Sequence, residues 1–209
     1  MKVYIQKYCQ IKDKKCKING VPVYTSEDAT QSNTEFLTAL YREMKTGYPK
    51  YFKMDALSRL GFLTADLLLK DTEFANDEPK SGMAMFISNS ASSLDTDINY
   101  QKTIGDEYFP SPAVFVYTLP NILMGEIAIR YKILGENTFF VSENFDTETI
   151  FKYVYQSFQE DEPNAAIVGW VDFLEDKCES FLFLLTAEKT ENSLNHEFTQ
   201  ESIEIIYKS

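Results

Sequence analysis

Histidine is almost missing from this chain: among 209 residues there is one, His196, in the polar segment NSLNHEF. Cysteine is sparse as well, and Cys9, Cys16 and Cys178 have no C-x-x-C spacing and lie far from that histidine. Zinc is held by clustered thiolates and imidazoles, so no metal site is expected, and His196 is expected in an exposed loop. The odd number of cysteines, and an opening MKVYIQKYCQI that alternates instead of running apolar, argue for a reducing cytoplasm and against a secretory signal. Positive charge is also short. Lys and Arg total 20 against 32 Asp and Glu, a net charge of −12. Nucleic acids and anionic membrane surfaces are met by clustered cations, so neither is expected as a partner. The one basic cluster, KDKKCK at 12–17, reads as a solvated turn between strands. No apolar run approaches the roughly 18 residues of a membrane span.

Apolar surface is abundant. Hydrophobic residues make up 44% of the chain and aromatic residues 14%, which places it among globular proteins. No composition shift marks a linker, so a single domain over 1–209 is expected.

Residues 2–11 alternate as a first strand, 20–34 read as loop, and a short helix over 35–45 ends at Gly47 and Pro49. MDALSRLGFLTADLLLK carries leucines at helical spacing, with Asp55 as its cap. MAMFIS (83–88) reads as a buried strand, followed by the serine-rich SNSASS (88–93) and a helix from 92 to 104. SNSASS suits a helix cap better than an anion cradle, since no Lys or Arg lies nearby. Asp95 and Asp97, two apart, do not share a helix face and read as a solvated first turn, not a metal site. EYFPSPAVFVYT is expected to be extended around its prolines. LPNILMGEIAIRYKI then forms a helix on which Gly125 and Ala128 would allow close helix approach. TFFVS, a helix over 147–158, and strands at 165–173, 179–186 and 202–207 complete the chain. Strands alternate with helices early and run consecutively late, which predicts an α/β fold with a mixed sheet flanked by helices.

The order of these segments resembles the N-terminal half of the β-ketoacyl synthases, condensing enzymes of the thiolase fold. KMDALSRLGFLTADLLL (53–69) is similar to the family's K-M-D helix, and MAMFISNSASSL (83–94) to its strand and small-residue turn. In SPAVFVYTLPNILMGEIAIRYKILGENTFFV (111–141), Asn121 and Gly125 fill an N-x-x-x-G pattern that marks them as substrate-binding candidates. Gly135 matches the linker glycine before the nucleophile strand, and AAIVGWVDF (165–173) resembles the strand after it.

The resemblance implies a thiolase-like half fold with a mixed sheet of five strands or slightly more. It also implies two losses. The nucleophile position falls on Asn144, beside Ser142 and Glu143, and asparagine cannot form an acyl thioester. The catalytic histidines belong to a second half that this sequence does not reach. Without them the chain would be a non-catalytic subunit akin to chain-length factors, needing no cofactor. Its partner would be a full-length ketosynthase, or a second copy of itself, with acyl carrier protein engaged only indirectly. The family pairs the strand before the nucleophile across its two-fold axis, which makes Thr138, Phe139, Phe140 and Val141 the interface strand. A half fold would leave sheet faces uncovered, and FLFLL (181–185) suggests those faces are still apolar. Asn144 itself suits a helix N-cap. Two alternatives stand beside this: a divergent acyl-thioester-processing enzyme or decarboxylase using Glu143 as acid or base, and a small-molecule binding module with a pocket near Asn121.

Overall fold

The computed structural model describes residues 2–28, 30–105, 109–160, 163–189, 194 and 196–208. Strand β1 (Tyr4–Lys12) turns through Asp13 and Lys14 into β2 (Lys15–Ile18), and both turn residues have positive φ, at 49° and 55°. This is the KDKKCK cluster, and the turn is of the two-residue kind whose twist matches a hairpin. A second such turn at Asn19 and Gly20 sends the chain back as β3 (Val21–Thr25). The segment expected as loop thus begins with a strand; the Asn-Gly pair was the signal, and VPVYT is too exposed to show alternating burial.

Helix α1 (Asn33–Glu43) starts on a reciprocal capping box between Ser32 and Glu35. Helix α2 (Ala56–Leu69) starts on Asp55, whose Oδ1 accepts the Ser58 N–H at 2.9 Å, and buries nearly its whole circumference. Strand β4 (Met83–Asn89) is buried throughout. Helix α3 (Leu94–Gln101) follows, then α4 (Pro112–Phe115) and a 3-10 turn over Val116–Thr118. The expectation of extended chain here is corrected: Pro112 occupies the start of a helical turn, where its missing N–H costs nothing.

Helix α5 (Ile122–Tyr131) leads to β5 (Asn137–Val141), α6 (Thr147–Glu160), β6 (Ala165–Leu174), β7 (Lys177–Thr186) and β8 (His196–Glu197). The chain closes with α7 (Gln200–Lys208), where a strand over 202–207 was expected. Thr199 and Ser202 exchange side-chain to backbone bonds at its start, and Ile203 and Ile206, three apart, turn inward. His196 is exposed as expected, although it lies on a short strand beside β1.

The sheet runs β3-β2-β1-β7-β6-β4-β5, with β8 also on β1. It has eight strands, more than anticipated, because the β2–β3 hairpin and β8 extend it beyond β1. Strands β4, β5 and β6 are parallel, and β7 runs antiparallel between β6 and β1. One face packs on α1, α2 and α5, and the other on α6 and α7. Alternation along β7 sends Leu182 and Leu184 to the first face and Phe181, Phe183 and Leu185 to the second. All five are buried, so the expectation that FLFLL marks an uncovered face is corrected: helices of this same chain cover both sides. Among the described residues no single helix is long and apolar enough to cross a membrane.

Gly61, Gly135 and Gly169 permit close approach, and a Cβ on Gly135 would fall 2.3 Å from the Met83 carbonyl oxygen. A Cβ on Gly61 would meet Leu123 Cδ1 at 2.1 Å, so the small residue between α2 and α5 is Gly61; Gly125 has nothing within 4 Å of the same position. At Gly169, in the middle of β6, a Cβ would fall 1.9 Å from the Phe181 carbonyl oxygen of β7. Gly169→Ala is expected to destabilise the fold by on the order of 3 kcal/mol, read as a lower urea midpoint, because backbone atoms have no rotamer with which to yield.

Candidate functional site

The elbow after β5 is built from the edge of the sheet. β5 is the last strand in the order, hydrogen-bonded to β4 alone, and exposed at both ends, Val141 to 58%. Met85 donates its N–H to the Glu136 carbonyl at 2.8 Å, and Ser142 donates its own to the Asn89 carbonyl at 2.9 Å. In a parallel ladder alternate residues bond one neighbour. Thr138 and Phe140 therefore bond inward to β4, while Phe139 and Val141 turn their N–H and C=O outward along the open edge.

At the elbow Ser142 Oγ donates to the Asn144 carbonyl at 2.8 Å, and the side chains of Glu143 and Asn144 are exposed. Phe145 anchors the turn among Trp170 and Tyr207. The cap of α6 is Asp146: its Oδ1 accepts the Thr149 N–H at 3.0 Å and its Oδ2 the Thr149 hydroxyl at 2.7 Å. The expectation that Asn144 caps this helix is thereby corrected: α6 starts at Thr147, and the residue directly before it, Asp146, is the cap, two positions after Asn144. Those same bonds from Thr149 hold the Asp146 carboxyl below its usual range.

No thiol substitutes at this place. Cys9 and Cys16 are fully buried on β1 and β2, and Cys178 is the second residue of β7. Burial pushes the Cys178 thiol up to about 12, and a bond to Cys16 together with burial raises Cys9, so neither offers a thiolate near neutrality.

Asn121 and Gly125 lie at the start of α5, whose buried residues pack on the α2 side of the sheet, whereas Phe145 of the elbow packs on the α6 side. The structure thus does not bring these two candidates together with the helix that follows the elbow. Asn121 makes no side-chain cap bond and is exposed.

The SNSASS turn proves to be an anion cradle filled from within. Asp172 of β6, fully buried, accepts the N–H groups of Ser90 and Ala91 at 3.3 and 3.1 Å and the Ser90 hydroxyl, and Lys177 pairs with it at 2.7 Å. Burial alone would raise this carboxyl, but Lys177, Ser90 and the Ala91 N–H together hold it below the usual range. Sequence reading missed Asp172 because the serine turn it fills lies some eighty positions away. It also placed Asp95 in water, whereas burial, and then the Asp55 charge, raise that carboxyl.

No protein-family model matches the sequence, and no curated protein matches it. Solved structures do. The ishigamide ketosynthase/chain length factor is similar over 91% of this chain and 64% of its own, with a TM-score of 0.64 at 13% identity. A β-ketoacyl synthase from Burkholderia phymatum STM815 is similar over 100% of this chain and 61% of its own, with a TM-score of 0.58 at 11% identity. A ketosynthase in complex with its chain length factor from Xenorhabdus doucetiae is similar over 90% of this chain and 80% of the matched one, with a TM-score of 0.52 at 11% identity. The chain therefore spans less than two thirds of the first two. At these identities the likeness is one of fold, and the fold is the thiolase-like one of the ketosynthases.

Asp146→Ala is expected to cost about 1 kcal/mol in thermal or chemical unfolding, whereas Asn144→Ala stays within about 0.5 kcal/mol. The Asp146 contribution is complete above the ordinary carboxyl value of about 3.9 and is lost as pH falls through the depressed folded value, so the two variants converge in strong acid.

Proposed function

We propose that this chain is a non-catalytic, ketosynthase-like subunit that pairs through β5 with an active ketosynthase and helps shape the space its acyl chain occupies, as a chain-length factor does. The observation that carries this reading is the combination at one place of an open edge strand and an elbow without a nucleophile. Phe139 and Val141 offer unpaired backbone groups along the edge, and the elbow beyond them presents Ser142, Glu143 and Asn144. An exposed edge is a template for another strand, and a protein that keeps one uncovered invites a partner there.

Three further features support it. Solved neighbours include ketosynthase/chain length factor assemblies, and the matched chain in one of these is covered to 80%, so it is shorter relative to this chain than the full synthases are. Exposed apolar side chains gather on α3, α4 and the turn after them, with Leu94, Ile98, Phe115, Val116 and Leu119 all open to solvent. That ground continues from the carboxyl end of β5, where Ser142 bonds Asn89 within the SNSASS turn that leads into α3. A strand edge alone buries too little for a stable complex, which needs roughly 800 Å² per partner, and these side chains supply the remainder. The net charge of −12 fits a subunit that leaves docking of an acidic carrier to its partner. Glu143 is exposed, so nothing encloses it for acid or base work.

Co-expression with ketosynthases encoded beside this chain is expected to yield a stable heterodimer on size exclusion. Val141→Pro removes an outward N–H without touching the β4 ladder, and is expected to abolish that complex while the subunit stays folded. A chain that remains a monomer beside every such ketosynthase contradicts the reading. Thioester turnover that disappears in Glu143→Gln would favour the enzymatic alternative.

A further inference from the structure

A pocket of about 430 Å³, within the range of about 300–1,000 Å³ typical of small-molecule sites, lies at the β1–β2 hairpin on the α7 side of the sheet, toward the opposite end of the strand order from β5. Cys9, Ile11 and Cys16 are buried on the α2 side, so alternation sends Gln10, Lys12, Lys15 and Lys17 to this one. Register sets these four out in two rows. Lys15 stands opposite Lys12, and Lys17 opposite Gln10, which in turn neighbours Phe181 of β7. The Tyr207 ring of α7 meets Phe181 edge-on, with 5.6 Å between centroids, and closes the pocket from the other side.

Both signs of charge line the pocket, but only the donors are left unanswered. Glu179 on the floor is satisfied: it pairs with Lys12 at 3.0 Å, accepts the Trp170 indole N–H at 3.1 Å and has Lys177 at 3.6 Å. The other carboxylate, Asp13, is exposed in the turn. Among the described residues Lys15 and Lys17 form no ion pair, and the Gln10 amide and the Tyr207 hydroxyl have no hydrogen-bond partner. Lys17, Gln10 and Tyr207 are half-buried, where polar groups are ordinarily bonded. Lys15 faces Lys12 as a like-charged cross-strand pair, which weakens a sheet, and Glu179 answers Lys12 alone. The carboxyl end of α7 adds about half a negative charge here, but Lys208 lies on that last turn, bonded to Glu204 at 3.4 Å.

We propose that this pocket binds the phosphate monoester group of a small organic ligand, its oxygens between Lys17, Gln10 and the Tyr207 hydroxyl, with Lys15 beside them and the organic body against the Tyr207 ring. A phosphate monoester brings three acceptor oxygens and close to two negative charges at neutral pH, which matches donors arriving from β1, β2 and α7. A carboxylate has two oxygens in one plane and leaves one of those three directions unanswered. The pocket does not include β5 and stands independently of the proposed subunit role.

The test is an NMR titration of the full chain at about pH 7.5, where the monoester is a dianion, with phenyl phosphate, with phenol as its neutral counterpart, and with inorganic phosphate alone. Phenyl phosphate is expected to saturate below about 10 mM, to shift the amide resonances of Gln10, Lys17 and Tyr207, and to bind about tenfold more tightly than phenol and about threefold more tightly than inorganic phosphate. Lys17→Gln is expected to lose about tenfold in affinity. Tyr207→Phe keeps the ring contacts and is expected to lose about threefold. Lys53→Gln removes the same charge at a place before α2, away from the pocket, and is expected to leave affinity unchanged. Equal affinity for phenol, inorganic phosphate binding as tightly as the ester, unchanged affinity in folded Lys17→Gln and Tyr207→Phe, an equal loss in Lys53→Gln, or no saturation by about 10 mM would each overturn the proposal.

Discussion

The crossing of β6 and β7 at Gly169 is the constraint on which the rest depends. Ten residue pairs join these strands, and at the fifth the chains approach so closely that no side chain fits. That contact fixes the antiparallel strand between β6 and β1, and with it the division of side chains between two covered faces. β4 is then held against β6, and β5 against β4, all three in one direction. With both faces covered by its own helices, the sheet has its open surface at the edge. The strand that carries the elbow is one of the two edge strands, with β3 at the opposite end of the order.

Carboxylates at helix starts are the second organising feature. Glu35, Asp55 and Asp146 each accept or exchange bonds at the first turn of a helix, and Asp172 fills the backbone cradle before α3. The positive ends of these helices are met by carboxylates of the same chain. At the elbow the positive end of α6 is met by Asp146, so the field is already spent on a cap.

Much of this was legible in the sequence because local signals agreed. The leucine spacing and Asp55 located α2, the apolar runs located β4 and β6, and the elbow after TFFVS was placed correctly. The failures have physical causes. ESIEIIYK alternates like a strand, but Thr199 and Ser202 cap it as a helix and the Ile203–Ile206 spacing buries one side. The prolines of 110 and 112 suggested extended chain, although the second opens a helical turn. FLFLL was read as an uncovered face because a half fold should have one. The helices that cover it, α6 and α7 on one side and α2 on the other, are distant in sequence. Asn144 was preferred as a cap by its position, and Asp146 won because its carboxylate reaches both donors of Thr149. A cleft at the carboxyl end of β6 was not legible at all, since the first turns of four separate helices line it.

The central claim is that the β5 edge is an assembly surface. Residue-level hydrogen–deuterium exchange, on the chain alone and bound to a co-expressed ketosynthase, tests it most directly. The account predicts strong protection of the outward Phe139 and Val141 amides on binding, with little change at Thr138 and Phe140, which already bond β4. Exchange at Phe139 and Val141 that is the same with and without the ketosynthase would contradict it.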